Sequence, residues 1–238
     1  MPVVRHDKKR ARAKQVLKLL AAAVLFSLTN LTAAESAPSA EEILEQVRLQ
    51  QSQQQLDLRG QLRSDATVIP FRLTQTGPVI RYTFSNPPEV LQLKLGADGS
   101  QLDLVTNTST KSFAASRLDD KIGGTGVTYG DLALSFLYWP DPQLISSDTI
   151  RTRACWKLRL HPPSKRAQYS TVVLWVDKES GAIMRMEGYD WKNQLAKRFE
   201  VVSAQKIEGR WFLKQMRIEE MQPGTKKVQS RSYLEINK

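Results

Sequence analysis

The stretch Thr171-Val172-Val173-Leu174-Trp175-Val176-Asp177-Lys178-Glu179-Ser180-Gly181-Ala182-Ile183-Met184-Arg185-Met186-Glu187 decides the fold. From Tyr169 to Val176 apolar residues fill nearly consecutive positions, the pattern of a central strand covered on both faces. Asp177-Lys178-Glu179-Ser180-Gly181 reads as a hairpin turn. Ile183–Glu187 returns as a strand with Met184 and Met186 on one face. A lone hairpin is marginal in water, so this one needs neighbours.

They stand on both sides. Upstream, Ala154, Trp156, Leu158 and Leu160 alternate with Cys155, Lys157 and Arg159, and His161-Pro162-Pro163 ends that strand. Downstream, Tyr189–Asn193 is a turn, Leu195–Ile207 a strand and Glu208-Gly209 a turn. Trp211–Met221 is a strand whose alternation shifts near Lys214, where a bulge is expected. Pro223-Gly224 turns into a last strand, Lys226–Ile236. A separate meander precedes these. Leu56, Leu58 and Leu62 alternate with polar residues around Gly60. Phe71 and Leu73, then Ile80, Tyr82 and Phe84, then Leu91, Leu93 and Leu95, and finally Leu102 and Leu104 repeat the period of two. Turn signals at Gly77-Pro78, Asn86-Pro87-Pro88 and Ala97-Asp98-Gly99 are spaced about ten residues apart.

Two helices complete the reading. Ser39 and Glu42 form a capping box that opens a helix with Ile43, Leu44, Val47 and Leu49 on its apolar face. Asp131–Tyr138 reads as a short buried helix stopped by Trp139-Pro140-Asp141-Pro142. The preceding Lys121-Ile122-Gly123-Gly124-Thr125-Gly126 lacks the Gly-Lys-Ser/Thr end of a phosphate loop. It reads as a tight turn with close backbone approach. About ten strands in runs, with two helices, predict an α+β protein built on an antiparallel sheet with helices on one face.

The net charge of +11 invites a nucleic-acid reading, but its distribution argues against one. Residues 1–34 carry seven of the 35 basic residues and one of the 24 acids, leaving a net of +5 on residues 35–238. Basic residues 5–18, the apolar run Leu19–Leu28 and Thr32-Ala33-Ala34 form a secretory signal pattern, with cleavage expected after Ala34. The expected product is one exported domain, residues 35–238, in a bacterial periplasm. The lone Cys155 is expected to be a buried, unpaired thiol.

Catalytic motifs are missing: there is no Gly-x-Ser-x-Gly, His-Glu-x-x-His or Cys-x-x-Cys. His161, the one histidine after the leader, has no partner motif. The reading is therefore non-enzymatic, with no cofactor, no metal and no nucleic acid. What stands out is a bulky apolar sheet face suited to holding an apolar ligand. The candidate lining residues are Phe71, Leu73, Tyr82, Phe84, Leu91, Leu93, Trp156, Leu158, Val173, Trp175, Met184 and Met186. A one-residue slip of register would invert any of these strands.

The run Thr171–Gly181, then Met186-Glu187-Gly188-Tyr189-Asp190, Leu195-Ala196-Lys197 and Ile207-Glu208-Gly209-Arg210-Trp211, resembles the LolA-like outer-membrane lipoprotein-sorting superfamily. Gly124-Thr125-Gly126 to Asp131-Leu132 and Trp139-Pro140-Asp141-Pro142 fit the same group. The resemblance covers residues 40–236. It implies a half-open antiparallel β-barrel of about eleven strands, with helices covering an apolar cavity. It implies a monomeric carrier or chaperone for lipid or lipoprotein acyl chains, working with inner- or outer-membrane transport proteins. It also implies a lid-latching Arg, for which Arg59, Arg63, Arg72 and Arg81 are the candidates. The alternative is an envelope scaffold or regulatory module of this fold that binds a protein partner.

Overall fold

A computed structural model describes residues 37–207 and 210–237. The expected leader and its cleavage site lie outside these residues. The chain opens with helix α1 (Ala40–Ser52), capped as expected by the reciprocal Ser39–Glu42 hydrogen bonds. Ala40, Ile43, Leu44 and Val47 are buried on its inner face, whereas Leu49 is exposed.

Thirteen strands follow, rather than ten or eleven. They are β1 (Gln55–Ser64), β2 (Val68–Thr76), β3 (Val79–Ser85), β4 (Pro88–Leu95), β5 (Ser100–Val105) and β6 (Thr110–Ser112). After a long connector come β7 (Gln143–Ile150), β8 (Arg153–Leu160), β9 (Thr171–Asp177), β10 (Ile183–Tyr189), β11 (Leu195–Ile207), β12 (Arg210–Met221) and β13 (Val228–Asn237). The extra strands β6 and β7 are the sheet's edges, and both are largely exposed and polar. β6 buries no side chain and β7 little beyond Leu144 and Ile150, so neither shows the alternation by which strands are recognised.

All strands pair antiparallel in the order β6-β5-β4-β3-β2-β1-β13-β12-β11-β10-β9-β8-β7. The first and last strands are therefore neighbours, and Gly60 lies opposite Ile236. A Cβ on Gly60 would come within 2.4 Å of the Glu235 carbonyl oxygen, so a side chain there would open this junction. The sheet is open between β6 and β7. One main core gathers residues from β1–β5, β8–β13, α1 and the connector.

A second, smaller cluster on the opposite face joins Ile150, Cys155, Val173 and Trp175. Here β9 has the reverse of the expected parity. Val172, Leu174 and Val176 enter the main core, and Val173 and Trp175 face away from it. Both faces of β9 are apolar, so hydrophobicity alone does not select one. Met184 leaves the face of Met186 because β10 bulges: Ile183 pairs with Val176 and Arg185 with Trp175, so two β10 steps match one in β9. The bulge expected near Lys214 is present, since Gln215 pairs with Ser203 and Leu213 with Ala204.

The outer face carries a charged row across seven strands. Lys157 lies over the Trp175 ring at 4.7 Å, and Arg185 lies over the same ring at 5.4 Å. Arg185 and Arg217 both pair with Glu200, at 2.5 and 3.4 Å. Arg63 caps the row over Tyr233 at 4.7 Å. A parallel row links Glu187 to Arg198, and Glu219 to Arg198, Arg217 and Arg231. Glu220, one residue on, points inward to Lys121.

At the β9–β10 turn, Arg153 donates two hydrogen bonds to Asp177, at 2.6 and 2.8 Å. Arg153, helped by Ser180, holds the Asp177 carboxyl down to about 2. Folding lowers this pKa, so the stabilisation is complete above the ordinary carboxylate range and is lost as pH falls from about 4 to about 2. Arg153→Met should therefore lower stability at neutral pH and flatten the acid limb. Urea unfolding at several pH values measures both effects, and an unaltered acid limb would contradict this role.

Candidate functional site

The connector, residues 113–142, runs from one sheet edge to the other across the inner face. Its glycines permit this close passage. Gly123 has a left-handed backbone, and a Cβ there would lie 2.1 Å from Ile69 Cδ1 of β2. Gly126 N–H donates to Ser232 Oγ of β13 at 2.8 Å. The Gly-rich stretch is a turn allowing close approach, as its composition suggests.

The expected helix over Asp131–Tyr138 is split. A single turn, α2 (Tyr129–Leu132), is followed by a tighter 3₁₀ turn, Ser135–Tyr138. Leu134 between them has φ of 53°, a left-handed conformation that ends any continuous helix. Thr128 caps α2, with reciprocal bonds to Asp131.

Asp131 is the point of attachment. Its carboxylate accepts from the Lys197 ammonium at 2.7 Å, the Tyr169 hydroxyl at 2.7 Å and the Thr128 backbone N–H at 2.8 Å. Only 6% of the Lys197 side chain is exposed. Burial and the adjacent Asp131 charge push the Tyr169 phenol well above its usual range. Other ties are lighter. Tyr129 donates to Glu89 at 2.6 Å, Ser100 Oγ to the Ala133 carbonyl at 2.6 Å, and Arg48 of α1 to the Leu137 carbonyl at 3.0 Å. Arg48 also lies over the Tyr138 ring.

A cleft of about 570 Å³ opens between the connector, the β5–β6 edge and the β8–β9 loop. Its apolar wall is built by Leu102, Phe113, Leu118, Phe136, Trp139 and Tyr169. Ser100, Asp119, Asp131, Arg166 and Gln168 add polar groups. Trp191 donates its indole N–H to the Ala167 carbonyl at 3.0 Å and so braces the β8–β9 loop.

None of the twelve candidate lining residues borders this cleft. Phe71, Phe84, Leu91, Leu93, Leu158 and Met186 are buried in the main core, with Leu73, Tyr82 and Trp156 packed against it. Val173, Trp175 and Met184 belong to the outer cluster. The cleft-lining aromatics come mostly from an irregular segment without periodicity, and the density of Phe136-Leu137-Tyr138-Trp139 was the one available signal. Three of the four latch candidates are engaged elsewhere, Arg63 with Glu235, Arg72 with Asp57 and Arg81 with Gln92, and Arg59 is exposed on β1.

Cys155 is buried in the outer cluster, and burial raises its thiol pKa. His161 instead contacts the Ser170 carbonyl and the Thr171 hydroxyl. Among the described residues no three His, Cys, Asp or Glu side chains stand together as metal ligands.

A family model described as "Uncharacterized protein" matches residues 106–238, more than half of the chain. No curated protein matches. Among solved structures, a domain from Vibrio parahaemolyticus described as an outer membrane lipoprotein-sorting protein aligns at 16% identity. The match covers 84% of this chain and 90% of that one, with a TM-score of 0.64. A LolA superfamily protein from Nitrosomonas europaea aligns at 17% identity, covering 85% and 93%, with a TM-score of 0.60. A DUF1329 family protein from Desulfovibrio piger gives 18% identity, 84% and 92% coverage and a TM-score of 0.60.

Asp131→Ala would leave the Lys197 ammonium buried without a counter-charge, which costs about 3–5 kcal/mol. The expected result is a marked fall in the urea midpoint. Adding Lys197→Met should recover most of it, because an apolar side chain of similar length needs no partner. A double variant no more stable than Asp131→Ala would show that the ion pair is not what anchors the connector.

Proposed function

This chain belongs to the family whose model spans residues 106–238 and has the LolA-like fold, and from that premise we propose a non-catalytic envelope carrier. It shelters an acyl chain of a lipid or lipoprotein in the cleft and passes it toward the outer membrane. The carrying observation is the cleft itself, about 570 Å³, lined by the buried aromatics Phe113, Phe136 and Trp139 and by the exposed Asp119 and Arg166. Small-molecule sites typically span about 300–1,000 Å³ with apolar walls and a few polar groups. The mixed lining suits an amphiphile, whose chain packs on Phe113, Phe136 and Trp139 while its head stays near Arg166. Burying each CH₂ contributes about 0.8 kcal/mol, so a chain of ~14 carbons supplies on the order of 10 kcal/mol before ordering costs. No bond need be made or broken. The site of action is the periplasm, with residues 1–34 removed on export, and the partners are the membrane proteins that deliver and receive the cargo.

One observation favours the second reading, a partner-binding module. Leu91, Leu93 and Leu158 have 0% exposure, so the interior is packed where a wide cavity would run. Native mass spectrometry after gentle extraction separates the readings: a carrier retains lipid mass, and a module of filled core does not. Titration with a fluorescent fatty acid adds a site-specific test. Ala115→Trp, which fills the cleft from an exposed position, should weaken binding about tenfold or more while leaving the melting temperature near wild type. Undiminished binding in that variant would place the acyl chain elsewhere.

A further inference from the structure

Strands β11 and β12 are the two longest, with 13 and 12 residues, and they outrun their neighbours. Among the described residues β10 pairs with β11 only as far as Arg185↔Glu200, and β13 pairs with β12 only as far as Gln215↔Glu235. Beyond these points the two strands pair only with each other, from Ser203 to Ile207 and from Arg210 to Gln215. The result is a two-stranded arm that outruns both neighbouring strands, tied to the end of β13 by the Gln205 amide, which donates to the Ile236 carbonyl at 3.4 Å.

Trp211 on this arm is 71% exposed, the most exposed large apolar side chain among the described residues. Lys206 sits directly opposite it across the strands. Lys206 and Lys214 are exposed, and Phe212 and Leu213 between Trp211 and Lys214 are half-buried. At the base, Arg151 donates to the Val201 carbonyl at 3.2 Å. The acids at this base are already committed, Glu200 to three arginines and Glu235 to Arg63. Between Lys206 and Lys214 the sequence holds three basic residues and one acid, Glu208.

An indole held out in water beside ammonium groups is poor chemistry for a solvated turn. It matches the interface of an anionic bilayer, where Trp rings settle at headgroup level and Lys or Arg meet acidic lipids. We propose that the β11–β12 arm docks the protein on an anionic lipid surface, with Trp211 entering the headgroup region and Lys206 and Lys214 pairing with lipid phosphates. This surface is distinct from the cleft, and its test does not depend on what the cleft holds.

The protein is expressed as the full chain, purified as the cell processes it, and mixed with vesicles of phosphatidylcholine containing about one third phosphatidylglycerol. Brominated phospholipid in the vesicles should quench wild-type tryptophan emission. Most of that quenching should vanish in Trp211→Phe, whereas Trp191→Phe should keep it. This readout reports the position of one indole, so membrane contact through any other segment does not imitate it. In flotation assays Trp211→Ala should bind about tenfold more weakly, and Lys206→Glu with Lys214→Glu should lose about fivefold or more per charge. Binding should fall with added salt, since exposed charges are screened. Equal quenching in wild type and Trp211→Phe would overturn the proposal. So would equal binding to neutral phosphatidylcholine vesicles, or a Trp211-dependent dimer in sedimentation that occupies the arm instead. Matching melting temperatures among the variants would establish that binding, and not folding, is being read.

Discussion

The antiparallel pairing of β1 with β13 is the constraint on which the rest of the structure depends. It joins the two ends of the sheet's chain, so the break in the sheet falls at the middle of the sequence, between β6 and β7. The connector between those strands must then travel from edge to edge. It does so across the concave side, where the exposed polar groups of a non-repetitive backbone would be costly unless satisfied. Ser232 Oγ accepts from the Gly126 N–H, Thr128 and Asp131 each accept the other's backbone N–H, and Tyr169 and Lys197 hold the Asp131 carboxylate in place. The same passage packs against the underside of α1 and forms one wall of the cleft beside the β5–β6 edge.

The two faces of the sheet answer different demands. Inside, apolar side chains from nearly every strand merge into one core around the buried Asp131–Lys197 ion pair, whose partners lie on different elements. Outside, carboxylates of Glu187, Glu200 and Glu219 are buried under flanking arginines. Each exposed pair on its own contributes little. Arranged in cross-strand rows, they cover the sheet's outer face with paired charge, leaving the apolar outer patch around Cys155 and Trp175 small.

Much of this architecture was legible from residue pattern. The Ser39–Glu42 box, the alternating Leu91-Leu93-Leu95 and the Asp177–Gly181 turn each carry a local physical preference that survives into the fold. Other features escaped because their cause is not local. β7 is an edge strand with little to bury. β9 is apolar on both faces, so its inward side was set by its neighbours. Met184 turned outward because a bulge, visible only through pairing, shifted it by one residue. The cleft aromatics Phe113, Phe136 and Trp139 sit on a segment with no period, and their convergence depends on where the connector crosses.

By itself the sequence determined the class of structure: an antiparallel sheet with a capped helix, glycines where backbones meet, and a resemblance to lipoprotein-sorting proteins carried by turn and strand motifs. These follow from short-range energetics, since period, capping and turn chemistry act within a few residues. Only the tertiary structure decided which face of β9 is inner, which strands form the open edges, and that Asp131 meets Lys197 sixty-six residues away. Such outcomes depend on long-range pairing, whose free energy is shared among many residues and written in no single stretch of the chain.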